Sequence, residues 1–230
     1  MNFRHLSTAA MKPHKKKPHS SSSHQVRIIG GQWKRTPLTV ITAEGLRPTP
    51  DRVRETVFNW INHLFDSEWQ SRRCLDLFAG SGALGFEAAS RGAAEVTLVE
   101  AFTPAFRQLE EVKAKLQASK VQIQRGDALL LAAALAKSQR KFDLIFLDPP
   151  FNQGFLEKIL PVCIDLLSEN GIVYVEAEQA LPFALDGLAT DEIPAWCQGW
   201  ELLRKDKAGN VHFQILQRNK EVGNLGENLG

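Results

Sequence analysis

Three closely spaced glycines constrain the fold of this chain more than any other feature. Gly80, Gly82 and Gly85 give the spacing Gly-x-Gly-x-x-Gly directly after a short apolar run at residues 74–78. An alanine-rich helical segment and a second apolar run, residues 96–99, follow. This order predicts a strand, a glycine turn, a helix and a second strand, with a turn whose backbone N–H groups can approach a ligand closely. We therefore expect a nucleoside-binding βαβ unit.

Two carboxylates narrow the choice of nucleoside, because the glycine spacing alone fits NAD, FAD or S-adenosylmethionine. Glu100 stands at the tip of the second strand, where an acid can accept hydrogen bonds from a ribose. Asp76 lies inside the strand that leads into the glycine turn. A pyrophosphate site would avoid this carboxylate, whereas the cationic methionine end of S-adenosylmethionine would be attracted to it. Asp76 therefore favours S-adenosylmethionine.

The sequence Asp148-Pro149-Pro150-Phe151 follows a mostly apolar run at residues 142–147, the fourth predicted strand. An acid or amide, two prolines and an aromatic side chain at this strand tip are the mark of methyltransferases that act on exocyclic amino groups of bases. Asp148 and the Pro149 carbonyl would accept the two amino N–H bonds, and Phe151 would stack on the base. The structural alternative is that Asp148 caps the turn after the strand.

Apolar runs alternate with helical patterns along the rest of the chain. This alternation predicts an α/β, Rossmann-like fold, with a mostly parallel sheet, helices on both faces and a ligand at the carboxyl ends of the strands. Asp127, near the third strand tip, would bind the adenine amino group, or would cap the helix after it. Further strands are predicted at 121–124, 172–176, 200–205 and 211–217, and helices at 103–118, 128–137 and 155–167, the last ending at Asn170-Gly171. The expected cofactor-binding residues are Asp76, Phe78, Gly80, Gly82, Glu100 and Asp127.

Charge is distributed unevenly along the 230 residues. The chain has 28 Lys and Arg against 26 Asp and Glu, a formal net charge of +2. Residues 1–54 hold 11 of the basic side chains and only 2 of the acidic ones, so residues 55–230 are net acidic. The front of the chain is therefore expected to face a polyanion.

Two basic segments of this front part could contact a nucleic-acid backbone. Residues 25–42 have the pattern of a small β-hairpin that turns at Gly30-Gly31, and it carries Arg27, Lys34 and Arg35. A solvated edge strand is the alternative.

A helix is predicted after the hairpin, with Thr49 as its N-cap and Pro50 as its first residue. Arg47, Arg52 and Arg54 lie near its start, away from the apolar stripe. They are candidates for contacts with an RNA backbone, and an ordinary solvated helix surface is the alternative.

Three stretches carry a family resemblance: RIIGGQWK at residues 27–34, GLRPTPDRVRETVFNW at residues 45–60, and the glycine turn together with DPPF at residues 148–151. They resemble the bacterial 16S rRNA guanine-N2 methyltransferases, which modify one guanine in the head of the small ribosomal subunit. The resemblance spans about residues 26–217. It implies a seven-stranded class I methyltransferase fold, S-adenosylmethionine as cofactor, 16S rRNA as partner, and Asp148, Pro149 and Phe151 as catalytic residues.

Two other functions remain open. A DNA adenine-N6 or cytosine-N4 methyltransferase uses a similar Pro-Pro unit, but it usually needs a sizeable target-recognition region for which we expect no room here. A non-catalytic nucleotide-sensing or RNA-binding protein is the other alternative, and the intact sequence at residues 148–151 argues against it.

The expected organisation has four parts. These are a disordered basic tail (1–24), an RNA-contacting β-arm and helix (25–65), a methyltransferase domain (66–218) and a second disordered tail (219–230). Cys74, Cys163 and Cys197 lack the spacing of metal ligands and are expected to be buried or free thiols. We expect a cytoplasmic monomer without metal and without a membrane span.

Overall fold

The structure is a computed structural model that describes residues 26–41, 49–182 and 193–219. The expectations for the two tails therefore lie outside the described residues, except at Asn219, and so does the expectation for Arg47. Across the described ranges, no helix is both long enough and apolar enough to cross a membrane.

Strands and helices alternate through most of the chain. The helices are α1 (Asp51–Leu64), α2 (Ala83–Ser90), α3 (Thr103–Leu116), α4 (Ala128–Lys137) and α5 (Phe155–Leu166). The strands are β1 (Val26–Arg27), β2 (Pro37–Leu38), β3 (Arg73–Asp76), β4 (Glu95–Glu100), β5 (Val121–Arg125), β6 (Phe142–Leu147), β7 (Leu167–Ala177), β8 (Trp200–Ala208) and β9 (Val211–Arg218).

Seven of these strands form one sheet in the order β5-β4-β3-β6-β7-β9-β8. The pairs from β5 to β7 are parallel, and β9 is antiparallel to both β7 and β8. The strand order reverses at β3, which lies between β4 on one side and β6 on the other. In open α/β sheets a ligand binds outside the carboxyl ends of the strands at such a reversal. The sheet order thus places the ligand crevice beside the ends of β3, β4 and β6.

Apolar side chains cover both faces of the sheet, as the sequence predicts. On one face, Phe58 and Ile61 of α1 and Phe86 of α2 pack with Phe146 of β6, and all four are fully buried. On the other face, α4 and α5 pack in a second cluster that includes Leu160. The predicted α/β fold with helices on both faces is confirmed.

Helix α1 begins at Asp51, and Pro50 occupies the N-cap position without a side-chain cap. The prediction that Thr49 caps this helix is wrong. The Thr49 hydroxyl lies between two carboxylates at the ends of β6 and β7 instead, within 2.7 Å of Glu176 Oε1. The local sequence around Thr49 suits a helix cap, but the Thr49 hydroxyl donates a hydrogen bond to Glu176 on a distant strand.

The arm formed by β1, β2 and their turn is docked on α2. The Glu87 carboxylate accepts the N–H groups of Ile29 at 2.6 Å and Gly30 at 2.9 Å. Gly31 has φ +73°, and a Cβ there would lie 1.9 Å from the carbonyl oxygen of Ser90. The Gly30-Gly31 turn is therefore required for close approach to the end of α2, so the arm is packed on the body and is not a freely solvated hairpin.

The predicted end of α5 at Asn170-Gly171 is wrong. Helix α5 ends at Leu166, and β7 begins at once at Leu167, which pairs with Phe142. A Cβ at Gly171 would lie 2.8 Å from the carbonyl oxygen of Phe142, so this glycine permits close strand packing. Strand pairing overrides the local Asn-Gly signal for a helix end.

Candidate active site

The glycine turn connects β3 to α2 at the reversal of the sheet. Gly82 occupies the N-cap of α2 with φ 78°, in the left-handed region that favours glycine. A Cβ at Gly82 would come within 2.6 Å of Leu109 and Phe86, and one at Gly85 would come within 2.0 Å of Leu98. Gly80 differs, because its nearest neighbour would be the Phe78 carbonyl oxygen at 4.0 Å. Gly82 and Gly85 thus allow close packing, while Gly80 borders open space.

Asp76 lies at the end of β3 with only 1% of its surface exposed. Its Oδ2 accepts the Gly85 N–H at 3.2 Å, whereas its buried Oδ1 has no hydrogen-bond partner among the described residues. Burial raises the pKa of this carboxyl to about 7, against the hydrogen bonds from the Phe78 and Gly85 backbone. An unpartnered buried carboxylate oxygen fits a cationic ligand group, which would stabilise the charged form.

Glu100 fixes the backbone around the glycine turn. Its Oε2 accepts the Gly80 N–H at 2.8 Å and its Oε1 accepts the Phe102 N–H at 2.7 Å. Each oxygen keeps a further lone pair for a ribose hydroxyl. Glu100 therefore fixes the backbone of the glycine turn, a role that the sequence did not predict. Its carboxylate can still accept hydrogen bonds from a ribose, which is the predicted role.

Asp127 and Phe78 also take structural roles. Asp127 caps α4 through a hydrogen bond from the Leu130 N–H to Oδ1 at 3.0 Å, the alternative that the sequence left open. This leaves Oδ2 of the exposed side chain for an adenine amino group. The Phe78 ring packs edge-on against Phe155, with their centroids 5.3 Å apart.

A small cavity of about 60 Å³ joins these groups at the reversal of the sheet. Asp76, Phe78 and Gly80 line it from the glycine turn, Asp148 from β6 and Thr49 from the segment before α1. It combines an unpartnered buried carboxylate with open backbone at Gly80, whose N–H donates to Glu100. This donor and acceptor set fits S-adenosylmethionine, whose methionine end is cationic and whose ribose carries hydroxyl groups.

Asp148 follows the end of β6 and is half-buried. The Thr49 hydroxyl lies 3.4 Å from Asp148 Oδ2 and donates to Glu176 Oε1 at 2.7 Å. Tyr174 donates to the same Glu176 oxygen at 2.8 Å. No local pattern in the sequence marks Thr49, Tyr174 or Glu176 as site residues. Glu176 comes next to Asp148 because β6 pairs with β7.

The two carboxyl groups of this cluster favour protonation. Burial raises the pKa of Asp148 well above its ordinary value, and the charge of Glu176 and then that of Asp76 raise it further. Burial also raises the pKa of Glu176, opposed by the hydrogen bonds from Thr49 and Tyr174 and by the charge of Arg54. Two adjacent carboxyl groups, one buried and one half-buried, cannot both ionise without a cost.

A larger cavity of about 350 Å³ opens beside Asp148. Pro149 and Phe151 line it on one side, Glu176 at the end of β7, and Trp196 from a short 3₁₀ segment. The Phe151 side chain is 38% exposed, although it is large and apolar. The cavity is wide enough for a planar base, and Phe151 presents a ring that could stack on it.

The basic residues of the arm and of α1 divide into two groups. Arg27, Lys34, Arg35 and Arg52 are exposed. Arg54 is fully buried and binds Asp51 Oδ1 at 2.6 Å and the Arg27 carbonyl oxygen at 2.8 Å. The prediction that Arg54 contacts RNA is therefore wrong, because its guanidinium is enclosed where α1 meets the arm. Asp51 also pairs with Arg27 at 2.8 Å, so one carboxylate joins the two elements.

Among the described residues, no group of His, Cys, Asp and Glu has the arrangement of a metal site. Cys74, Cys163 and Cys197 are buried free thiols. The chain is a class I S-adenosylmethionine-dependent methyltransferase. Its strand order defines the fold, and the carboxylates and backbone groups at the carboxyl ends of the strands fit the cofactor.

Comparison with known proteins identifies the family within that class. Residues 26–217 match the family described as "Conserved hypothetical protein 95". The chain is 42% identical to ribosomal RNA small subunit methyltransferase D of Escherichia coli over 88% of its own length and 95% of that protein. It is 38% identical to the Haemophilus influenzae protein of the same name, over 84% of this chain and 94% of that one. The chain therefore belongs to the family of ribosomal RNA small subunit methyltransferase D.

A solved structure agrees with this placement. The structure described as a putative methyltransferase from Escherichia coli matches with a TM-score of 0.69 and 40% sequence identity. The match covers 85% of this chain and 98% of that one. The seven-stranded class I fold implied by the sequence resemblance is thus confirmed.

Proposed function

We propose that this enzyme transfers a methyl group from S-adenosylmethionine to the exocyclic N2 of one guanine in 16S rRNA. The observation that carries the proposal is the position of Asp148-Pro149-Pro150-Phe151 between two cavities. One cavity is lined by groups that suit the methionine end of the cofactor, and the other is wide enough for a base. The names of the relatives, ribosomal RNA small subunit methyltransferase D, support rRNA as the substrate class.

The chain's own residues have to align a weak acceptor, because the lone pair of the amino nitrogen is delocalised into the purine. Asp148 and the Pro149 carbonyl accept the two amino N–H bonds and direct the lone pair towards the donor. When bound, S-adenosylmethionine supplies a methyl group already activated by its sulfonium. Asp76 would hold the methionine ammonium, Gly80 the adjoining backbone contact, Glu100 the ribose and Asp127 the adenine amino group.

The target guanine has to leave its stack to reach Asp148. Unstacking costs a few kcal/mol, and stacking on an aromatic ring returns about 1–3 kcal/mol per base. Phe151, exposed at the mouth of the larger cavity, would supply that ring. Pro149 and Pro150 stiffen the turn that carries it.

The exposed basic side chains of the arm and of α1 would bind the RNA backbone. Arg27, Lys34, Arg35 and Arg52 are the described members of this basic surface, and Arg47 adds a fifth cation in the sequence between them. Such contacts supply affinity with little base specificity. The enzyme would act as a cytoplasmic monomer on the small ribosomal subunit or on a late assembly intermediate of it.

Methyl transfer from radiolabelled S-adenosylmethionine tests the proposal on three substrates: small ribosomal subunits lacking the modification, naked 16S rRNA and duplex DNA. We expect label in rRNA, recovered as N2-methylguanosine after digestion to nucleosides. Label in DNA as N6-methyladenine or N4-methylcytosine would instead support a DNA amino-methyltransferase. No transfer to any substrate, with the cofactor bound, would support a non-catalytic binding protein.

A further inference from the structure

The Thr49 hydroxyl lies between two carboxylates that belong to different strands. It is 2.7 Å from Glu176 Oε1 and 3.4 Å from Asp148 Oδ2. A hydroxyl carries one proton, so it donates to only one carboxylate at a time. The shorter distance assigns that proton to Glu176, and Asp148 Oδ2 is then left facing the hydroxyl oxygen.

A proton on Asp148 Oδ2 would lie between the two facing oxygen atoms and join them by a hydrogen bond. Asp148 then donates to Thr49 Oγ, and Thr49 donates to Glu176, so that all three groups form one directed chain. Glu176 is more easily ionised than Asp148, because its Oε1 also accepts a hydrogen bond from the Tyr174 hydroxyl at 2.8 Å. A single proton on the pair also removes the repulsion between two neighbouring buried charges.

The titratable groups around the pair come from three elements, β3, β7 and α1. Asp76 at the end of β3 and Glu176 at the end of β7 face Asp148, and both disfavour its ionisation. Arg54 of α1 and the Tyr174 hydroxyl of β7 face Glu176, and both favour its ionisation. The surroundings therefore place the shared proton on Asp148.

We propose that Asp148 and Glu176 hold one proton between them through the Thr49 hydroxyl, and that Glu176 thereby decides when Asp148 is free to accept the amino N–H of the target base. Glu176 is then a positioning residue, since it acts on the base through Asp148. The inference rests on the proposed function and extends it to the pH at which the site works.

The methylation reaction releases one proton, and the pair of Asp148 and Glu176 can accept it. The amino nitrogen forms a bond to the methyl group, the bond between that carbon and the cofactor sulfur breaks, and the sulfur keeps the electron pair. The nitrogen, now positively charged, releases one proton. Ionised Asp148 accepts it at Oδ2, which returns the pair to its one-proton state, and the proton leaves to solvent before the next turnover.

Single-turnover rates on small ribosomal subunits, measured against pH, test the pair. We expect the wild-type rate to fall as the pH decreases and Asp148 becomes protonated. Glu176→Gln removes a neighbouring negative charge, so the fall should move to lower pH by about one unit. Thr49→Val removes the hydroxyl oxygen that accepts the proton of Asp148 and the hydrogen bond that favours the Glu176 anion, so the fall should again move to lower pH. Glu201→Gln, an exposed change on β8, is the matched control and should not move it.

Shifts to lower pH in both variants, with the control unmoved, would support the pair, because a general loss of packing would lower the rate at every pH without moving the profile. Profiles that coincide with the wild type in both variants would overturn it.

Infrared spectra of the ligand-free protein give a second test that does not need methylation. A protonated carboxyl has a carbonyl stretch that disappears when the group ionises. We expect this band to persist well above the ordinary pKa of aspartic acid, to weaken in Asp148→Asn, and to ionise at lower pH in Glu176→Gln. Asp76 adds a similar band, so each variant is compared with the wild type. Identical titrations in all three proteins would refute the pair. If subunits are not methylated, the proposed function fails, and these spectra still decide whether the pair exists.

Discussion

The carboxylate of Glu87 accepts the backbone N–H of Ile29 at 2.6 Å, across 58 positions of sequence. Glu87 belongs to the helix that follows the glycine turn, and Ile29 belongs to the arm. The same carboxylate accepts the Gly30 N–H and pairs with Arg91 at 2.8 Å, and its side chain is fully buried. The arm that carries basic residues is thus attached directly to the helix that follows the glycine turn.

Loss of this attachment should destabilise the protein. Glu87→Gln keeps the shape but replaces one acceptor oxygen with an NH₂ group, which would face a backbone N–H. It also leaves Arg91 without its anion, so we expect the free energy of unfolding to fall by about 3–5 kcal/mol. Urea denaturation measures this loss. An unchanged midpoint for Glu87→Gln, as expected for the exposed control Glu68→Gln, would show that the arm does not depend on Glu87.

Two glycines of the turn should respond differently to alanine. Gly80→Ala directs its Cβ into space with no atom closer than 4.0 Å, so it should weaken cofactor binding more than folding. Gly82→Ala drives its Cβ into Leu109 and Phe86, so it should mainly lower the melting temperature. Both glycines have positive φ, so each variant also includes a strain of about 1–2 kcal/mol. Calorimetry with S-adenosylmethionine and thermal unfolding on the same samples separate the effects, and the reverse ranking would contradict the assignment of Gly80 to the cofactor.

Cofactor affinity should depend on pH through Asp76. Its pKa of about 7 in the ligand-free protein means that the carboxyl is largely protonated at lower pH. A cationic ligand binds the ionised form, so affinity should fall as the pH drops below about 7, by up to tenfold per unit. Asp76→Asn should bind weakly and without this dependence. Calorimetry across pH 5.5 to about 8.5 measures the slope, and a flat wild-type profile would remove Asp76 from the cation site.

Charge reversal should separate the exposed arginines from the buried one. Lys34→Glu with Arg52→Glu should weaken RNA binding and flatten its salt dependence, by about 0.7–0.9 in the log–log slope for each lost phosphate contact. Lys137→Glu, in the last turn of α4 on the other face of the sheet from α1 and the arm, should leave both unchanged. Arg54→Ala should instead lower the free energy of unfolding by about 2 kcal/mol or more, because it empties a buried site. Filter binding at several salt concentrations tests the first part, and an Arg54→Ala protein of normal stability would contradict the second.

Asp148 and Phe151 should affect turnover without affecting cofactor affinity. Asp148→Ala should lose most of the rate, while Asp148→Asn keeps an acceptor carbonyl and should retain the activity that the wild type shows at low pH, with no further response to pH. Phe151→Ala should raise the cost of holding the flipped base by about 1–3 kcal/mol, and Phe151→Tyr should be tolerated. Single-turnover rates at saturating cofactor test all four. Rates near wild type for both alanine variants would make Asp148 a turn cap and Phe151 ordinary packing.

Local sequence patterns predict the class of fold and the strand ends beside which a ligand is expected. Glycine spacing, apolar runs of strand length and the turn at residues 148–151 are local signals, and each acts through backbone conformation that near neighbours decide. For that reason the strand Phe142–Leu147 and the helix Ala128–Lys137 have the bounds that the sequence predicts.

Only the tertiary structure decided which polar residues share the site. Thr49 and Glu176 are separated by 127 positions, and nothing in their local sequence indicates that they meet. Arg54 and Arg52 look alike in sequence, yet one is fully buried at the arm and the other is exposed. Burial and hydrogen bonding between distant segments depend on how strands pair and helices dock. Those contacts set the charge state of the carboxylates, while the local pattern sets only where the backbone places them.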